Sequence, residues 1–244
     1  MTYFEKTVDM TKKYVKQLMA DGTTDVIVSA KGESMKKTIV EKNPLSLTKI
    51  AKEIQKCDKC PLCKTRKNSV PGEGNPKAKL MFVGEGPGFD EDILGRPFVG
   101  RCGQLLDKII LAMEMKREDV FIANIVKCHP MVNPSTPDAR GNDRKPTPDE
   151  IKVCIHYLEK QIRVIRPKII CALGSVASTT LTGISTSLGE LRGRFHDYYC
   201  SPDLQVGVSK ANRIKLMPTF HPAALLRNPN WKTSLRSFTR WKGT

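Results

Sequence analysis

The sequence contains no run of about 18 apolar residues, the least that a membrane-crossing helix needs, and no membrane contact is expected. Its first residues, MTYFEKTVDMTKK, lack the apolar core of a secretory signal. Both absences point to a cytoplasmic protein. Acid is scarce as well: 25 Asp and Glu stand against 41 Lys and Arg, for a net charge of +16. The deficit is sharpest from Arg192 onward, where Asp197 and Asp203 are the only acids. Such a field concentrates polyanions, so nucleic acid is the first partner to consider. A merely solvated surface is the plainer alternative.

What is present supports a real core, since 39% of the 244 residues are apolar. Residues 1–46 read as a basic, helical extension, with Phe4, Val8, Val15 and Leu18 at roughly helical spacing, and residues 47–244 as the main domain. Ser46 is a plausible cap for a helix over SLTKIAKEIQKC. Four apolar or β-branched runs follow, KLMFVG (79–84), VFIANIV (120–126), KIICALG (168–174) and IKLMPTF (214–220). Helical patterns lie between them at GQLLDKIILAMEM, at TPDEIKVCIHYLEKQIRVI with Thr147 and Pro148 as a start signal, and at SVASTTLT. This alternation predicts an α/β fold: a three-layer α/β/α sandwich around a four-stranded parallel sheet.

Ligands of open parallel sheets bind beyond the carboxyl ends of the strands. The unusual residues fall there: GEGPGFDEDILGRPFVG after the first run, KCHPMVN after the second, GSVAS after the third and HPAALLRNP after the fourth. The glycine-rich segment has neither the Lys-Ser/Thr of a P-loop nor a G-x-G-x-x-G opening a helix, which argues against nucleotide triphosphates. Its glycines instead let backbone approach a flat ligand, and Glu85, Asp90, Glu91 and Asp92 supply acceptors or a general base. Phe98 is either core or a stacking surface. His221, at a strand end, is a candidate donor to developing negative charge.

Eight cysteines in a reducing compartment point to metal ligation rather than disulfides. CDKCPLC gathers Cys57, Cys60 and Cys63, while Cys128 follows the second strand and Cys154 lies in the long helix. The spacing fits tetrahedral zinc or an iron–sulfur cluster equally. Cys171 reads as a small core residue.

In combination, CDKCPLCKTRKNSVPGEG, the glycine-rich segment with its continuation RCGQLLD, NIVKCHP, CIHYLEKQIRVIRPKIICALGSVA and TFHPAALLRNP resemble the family 4 uracil-DNA glycosylases, in that family's order from about Cys57 to Trp241. The resemblance implies the same three-layer fold and a [4Fe-4S] cluster held by Cys57, Cys60, Cys128 and Cys154, with Cys63 no ligand. It implies a monomeric repair enzyme that hydrolyses the N-glycosidic bond of uracil in single- or double-stranded DNA and leaves an abasic site. Glu85, Glu91 and His221 would be catalytic. Gly84, Gly86, Phe98, Asn124 and Asn133 would bind the base, and Asp90 and Asp92 would be ordinary loop acids. Gly86 and Cys102 stand where that family usually has alanine, and His129 where it often has arginine. Two other readings remain open: a glycosylase with a broader range of deaminated bases, for which Gly86 would leave room, and a catalytically silent nucleic-acid-binding module.

Overall fold

A computed structural model describes residues 46–198 and 213–228. The helical extension expected over residues 1–46 lies outside them, apart from Ser46. That serine caps α1 (Leu47–Gln55), its Oγ accepting the Lys49 N–H at 3.2 Å. Four parallel strands form the centre of the sheet: β2 (Leu80–Gly84), β3 (Phe121–Asn124), β4 (Ile169–Leu173) and β6 (Lys215–Thr219). Each falls inside one of the four apolar runs.

The expected strand count is corrected from four to six. Two-residue antiparallel strands, β1 (Glu73–Gly74) and β5 (His196–Asp197), pair with β3 and β6 and close the edges in the order β1-β3-β2-β4-β6-β5. Two residues are too few to show an alternating pattern.

Alternate residues of the central strands serve opposite layers, as a sheet buried on both faces requires. Met81, Val83, Ala123, Ile170 and Leu216 pack with Ile50 and Ile54 of α1 and with Leu158 and Ile162 of α4 (Pro148–Ile165). Leu80, Phe82, Ile122, Ile169 and Cys171 turn the other way, against Leu106, Ile109 and Ile110 of α3 (Arg101–Ala112). Phe82 and Leu106 are almost completely buried, and truncating such a leucine to alanine costs about 2–5 kcal/mol. Helix α4 begins with Pro148 at its first position and a reciprocal cap: Thr147 Oγ1 accepts the Glu150 N–H at 3.3 Å, and Glu150 Oε2 accepts that of Thr147 at 2.7 Å.

Short helices punctuate the loops at the carboxyl ends of the strands: α2 (Phe89–Leu94) after β2, α5 (Ser175–Thr182) and α6 (Leu188–Leu191) after β4, and α7 (Pro222–Arg227) after β6. The polar segment between Pro134 and Pro146 forms turns and one isolated bridge, Met131 to Asp143.

Candidate active site and cysteine nest

The loops after β2, β3, β4 and β6 do converge, on an open crevice of about 630 Å³. Glu85, Gly86, Glu91, Phe98, Asn124 and His221 line it, with Arg101, Arg140, Lys145 and Arg227 among the cations around them. Asn124, the last residue of β3, lies opposite Gly84 of β2. It is 1% exposed, and its Oδ1 has no hydrogen-bond partner. A Cβ on Gly84 would sit 2.4 Å from that oxygen and 2.6 Å from Cζ of Phe98. Glycine therefore leaves open the one place where the amide and the ring can both be reached.

Phe98 is 5% exposed, and its ring centroid lies 5.6 Å from that of His221. Its backbone is left-handed (φ 50°), an uncommon state for a non-glycine residue that persists only where neighbours enforce it. Glu91 is one enforcer. One carboxylate oxygen accepts the N–H groups of Val99 (2.9 Å) and Gly100 (3.2 Å), and the other accepts that of Gly88 (3.2 Å). Gly103 is the second, since a Cβ there would lie 1.8 Å from the Phe98 carbonyl oxygen.

Glu85 is half-buried, and burial raises its pKa, with Lys145 pulling the other way. Its carboxylate makes no hydrogen bond among the described residues. His221 caps α7, its Nδ1 accepting the Ala223 N–H at 3.1 Å, which leaves Nε2 as the proton-bearing nitrogen. Burial, helped by Arg227, pushes its pKa down to about 4, so the ring is neutral at physiological pH.

Two expectations change. Asn133 does not line the crevice; it is exposed and organises a turn, its Oδ1 accepting the Ser135 N–H and its backbone bonding Asn142. Asp92 is no ordinary loop acid: it is 2% exposed and accepts the Lys67 N–H at 3.0 and 3.1 Å. Gly86 lines the crevice, and a Cβ there would meet Val126 at 2.8 Å and the crevice-lining Pro130 at 3.4 Å.

Behind the crevice, Cys57, Cys60, Cys63, Cys128 and Cys154 line one small cavity. Arg66 Nη1 donates to Cys128 Sγ at 3.1 Å, and the Lys127 N–H donates to Cys154 Sγ at 3.3 Å. Burial pushes the Cys128 thiol up to about 12 and raises Cys60 and Cys154 too, so these sulfurs ionise only beside a compensating cation. Among the described residues no three His, Cys, Asp or Glu side chains converge closely enough for a single ion.

A family model described as the uracil DNA glycosylase superfamily matches residues 71–241. The type-4 uracil-DNA glycosylase of Saccharolobus solfataricus is 44% identical over 189 residues, 75% of this chain and 79% of its own. That of Thermotoga maritima is 42% identical over 180 residues, covering 73% and 82%. The chain belongs to the type-4 uracil-DNA glycosylase family. A third family member, from Archaeoglobus fulgidus, is 37% identical over 197 residues, 79% of this chain and 89% of its own. As a member of that family the chain is a DNA-repair enzyme, a hydrolase of N-glycosidic bonds.

Sequence reasoning passed over Lys127 altogether. It is 1% exposed, its Nζ donating to the Asn124 carbonyl at 2.8 Å and to Gln161 Oε1 at 2.9 Å. Arg140 was missed too; its guanidinium lies over the Phe89 ring and pairs with Asp90 at 2.9 Å, across the mouth of the crevice.

Proposed function

We propose that this protein excises uracil from DNA, and the observation that carries the reading is the buried, partnerless Oδ1 of Asn124 beside the Phe98 ring. A base inside a duplex cannot reach such a pocket. The basic rim, with Arg101, Arg140, Lys145 and Arg227, holds phosphates while the deoxyuridine rotates out of the stack. Single strands and U·G mispairs open at least cost. Phe98 then stacks on the pyrimidine, and Asn124 Oδ1 accepts its N3–H. Cytosine has an acceptor at N3, so it would leave that oxygen buried and unpaired, at a cost of about 1–3 kcal/mol.

Cleavage leaves positive character on the sugar and negative charge on the departing base. His221 donates from Nε2 to that developing charge as a neutral imidazole, which requires no proton to be gained first. Glu85 shelters the sugar cation and orients the attacking water; its carboxylate faces the crevice without a partner to compete. Glu91, whose two oxygens already accept three backbone N–H groups, is a positioning residue that holds Phe98 and the loop around it. The products are free uracil and an abasic site. On this reading the protein acts as a monomer in the cytoplasm, on the DNA of the nucleoid.

Cys57, Cys60, Cys128 and Cys154 would hold a [4Fe-4S] cluster, which supplies a cross-link between α1, the loop after β3 and α4 rather than a reaction step. The buried thiols and the N–H donors aimed at Cys128 and Cys154 support that assignment.

Anaerobically purified protein incubated with oligonucleotides carrying uracil or hypoxanthine, then treated with alkali, tests the scheme. Cleavage at uracil alone is expected. An intact visible chromophore with no alkali-labile site would overturn it.

A further inference from the structure

The segment VPGEG (70–74) has no part in the excision scheme, yet it carries the edge strand β1 and with it Glu73. Gly74 has φ 126°, and a Cβ there would lie 2.0 Å from the Val120 carbonyl oxygen, so only glycine lets β1 seat this closely on β3. The Glu73 carboxylate gathers two arginines: Oε2 accepts from Arg96 Nε at 2.7 Å and Oε1 from Arg117 Nε at 2.8 Å. Arg117 Nη1 donates to Asp107 of α3 at 2.8 Å, and Nη2 donates to the Pro97 carbonyl. That carbonyl belongs to the peptide plane that ends in the Phe98 nitrogen. The Phe98 φ of 50° is the rotation between this plane and the Phe98 Cα. A plane gripped by a rigid, planar guanidinium resists relaxing that angle towards the common region. Glu91 and Gly103 hold the ring-bearing loop on its far side, at Val99, Gly100 and the Phe98 carbonyl. Arg117 holds the near side.

We infer that Arg117, oriented by Glu73 and Asp107, is a positioning residue for base stacking: by holding the Pro97 carbonyl it sets the angle at which the Phe98 ring meets the uracil. The inference rests on the excision reading of Phe98. Neither Arg117 nor Glu73 lines the crevice, so the influence passes through the backbone of Pro97 and Phe98. Arg96, on the same carboxylate and two residues before Phe98, ties the loop to β1 a second time. The edge strand thereby supplies an anchor for the stacking ring rather than core.

The full chain, purified anaerobically, is compared with Arg117→Met, Phe98→Ala, the double variant and Glu73→Gln. Free uracil, an uncharged product inhibitor, reports the stack apart from any effect on DNA binding. In Arg117→Met the uracil inhibition constant and KM are expected to rise about tenfold, the loss of one hydrogen bond from a charged donor, with kcat changed less. In the Phe98→Ala background the same substitution should alter kcat/KM by no more than about twofold, because no ring remains to be positioned. Glu73→Gln keeps an acceptor for Arg117 but loosens its hold, and a rise of about threefold in the uracil constant is expected. A role confined to folding would lower the melting temperature and leave the uracil constant at its wild-type value. A role confined to surface charge would weaken binding of uracil-free DNA and leave that constant unchanged too. Either result overturns the inference, as do equal losses of kcat/KM with and without the Phe98 ring. If Arg117→Met does not accumulate as folded protein, Glu73→Gln decides: an unchanged uracil constant there is equally fatal. Failure of the excision reading shows instead in the wild-type protein, as absent alkali-labile sites.

Discussion

The crevice and the cysteine nest lie at the two ends of residues 124–128 and are built in opposite ways. In the nest, the sulfurs are enclosed by apolar side chains and met by donors from Arg66 and Lys127. In the crevice, Asn124 Oδ1 is left unpaired, Phe98 is held in a left-handed backbone, and Glu85 faces open space. The nest is satisfied by its own chain once a cationic group is present; the crevice is satisfied only by a ligand. Unmet hydrogen-bonding capacity marks the place where chemistry is done, and it is a better guide here than acid content.

That contrast can be broken most directly at Asn124. Asn124→Leu is expected to lower kcat/KM for uracil excision by on the order of a thousandfold, because a site built around one hydrogen bond loses its reading group. Thermal stability should hold or rise, since the substitution also removes an orphaned polar atom; a large fall in the melting temperature would make Asn124 a structural residue. His221→Ala is expected to reduce kcat by on the order of a hundredfold, as the removal of one donor to a developing anion does. Its pH dependence sharpens the point. Because burial lowers the folded-state pKa to about 4, activity should cross pH 6.5 without a step from this group and fail only as pH nears 4. Stability should run the same way, whole above the ordinary histidine pKa and declining as pH falls from there towards 4, where the unfolded chain binds a proton that the folded chain refuses. A pH–rate step near 6.5 that vanishes in His221→Ala would contradict the neutral ring.

Glu85 and Glu91 divide along the same line. Glu85→Gln should reduce kcat by up to about a hundredfold at unchanged stability, the usual range for a positioned base. Glu91→Gln should instead cost about 1–3 kcal/mol of stability, the worth of hydrogen bonds to a charged acceptor, and lower activity through displacement of Phe98, seen as a loss of uracil affinity. Urea unfolding beside steady-state kinetics separates the two. Within the nest, Cys57→Ala should abolish the visible absorbance and lower the melting temperature, whereas Cys63→Ala, the smallest effect of all, should leave both near wild type. Equal losses from both would make Cys63 a ligand.

Much of this was legible in the sequence, for reasons that also explain what was not. Four apolar runs spaced by helical patterns suffice for a doubly covered parallel sheet, and the convergence of four loops follows from strand direction alone. The edge strands Glu73–Gly74 and His196–Asp197 escape because their pairing is set by neighbours, not by a pattern of their own. Helices α2 and α7 escape because their flanking glycines and prolines read as loop. Lys127 was invisible for a stronger reason: a lysine is by default a surface residue, and its partner Gln161 comes from helix α4, far along the chain. Asp92 and Asn133 were misjudged in opposite directions, one buried against Lys67 and the other turned outward, since burial of a loop polar group depends on contacts distant in sequence.

The ties around Phe98 carry one more consequence, in the order in which the chain can assemble. Glu91 reaches Gly88, Val99 and Gly100, and Gly103 lies just beyond, so the loop that holds the ring closes through short segments at small entropic cost. The cysteines have no such shortcut: Cys57 and Cys154 meet only when α1 packs on α4, and β2 pairs with β4 only when residue 80 finds residue 169. The loop can thus form early and locally, while the cysteines come together only when the long-range pairing is nearly complete.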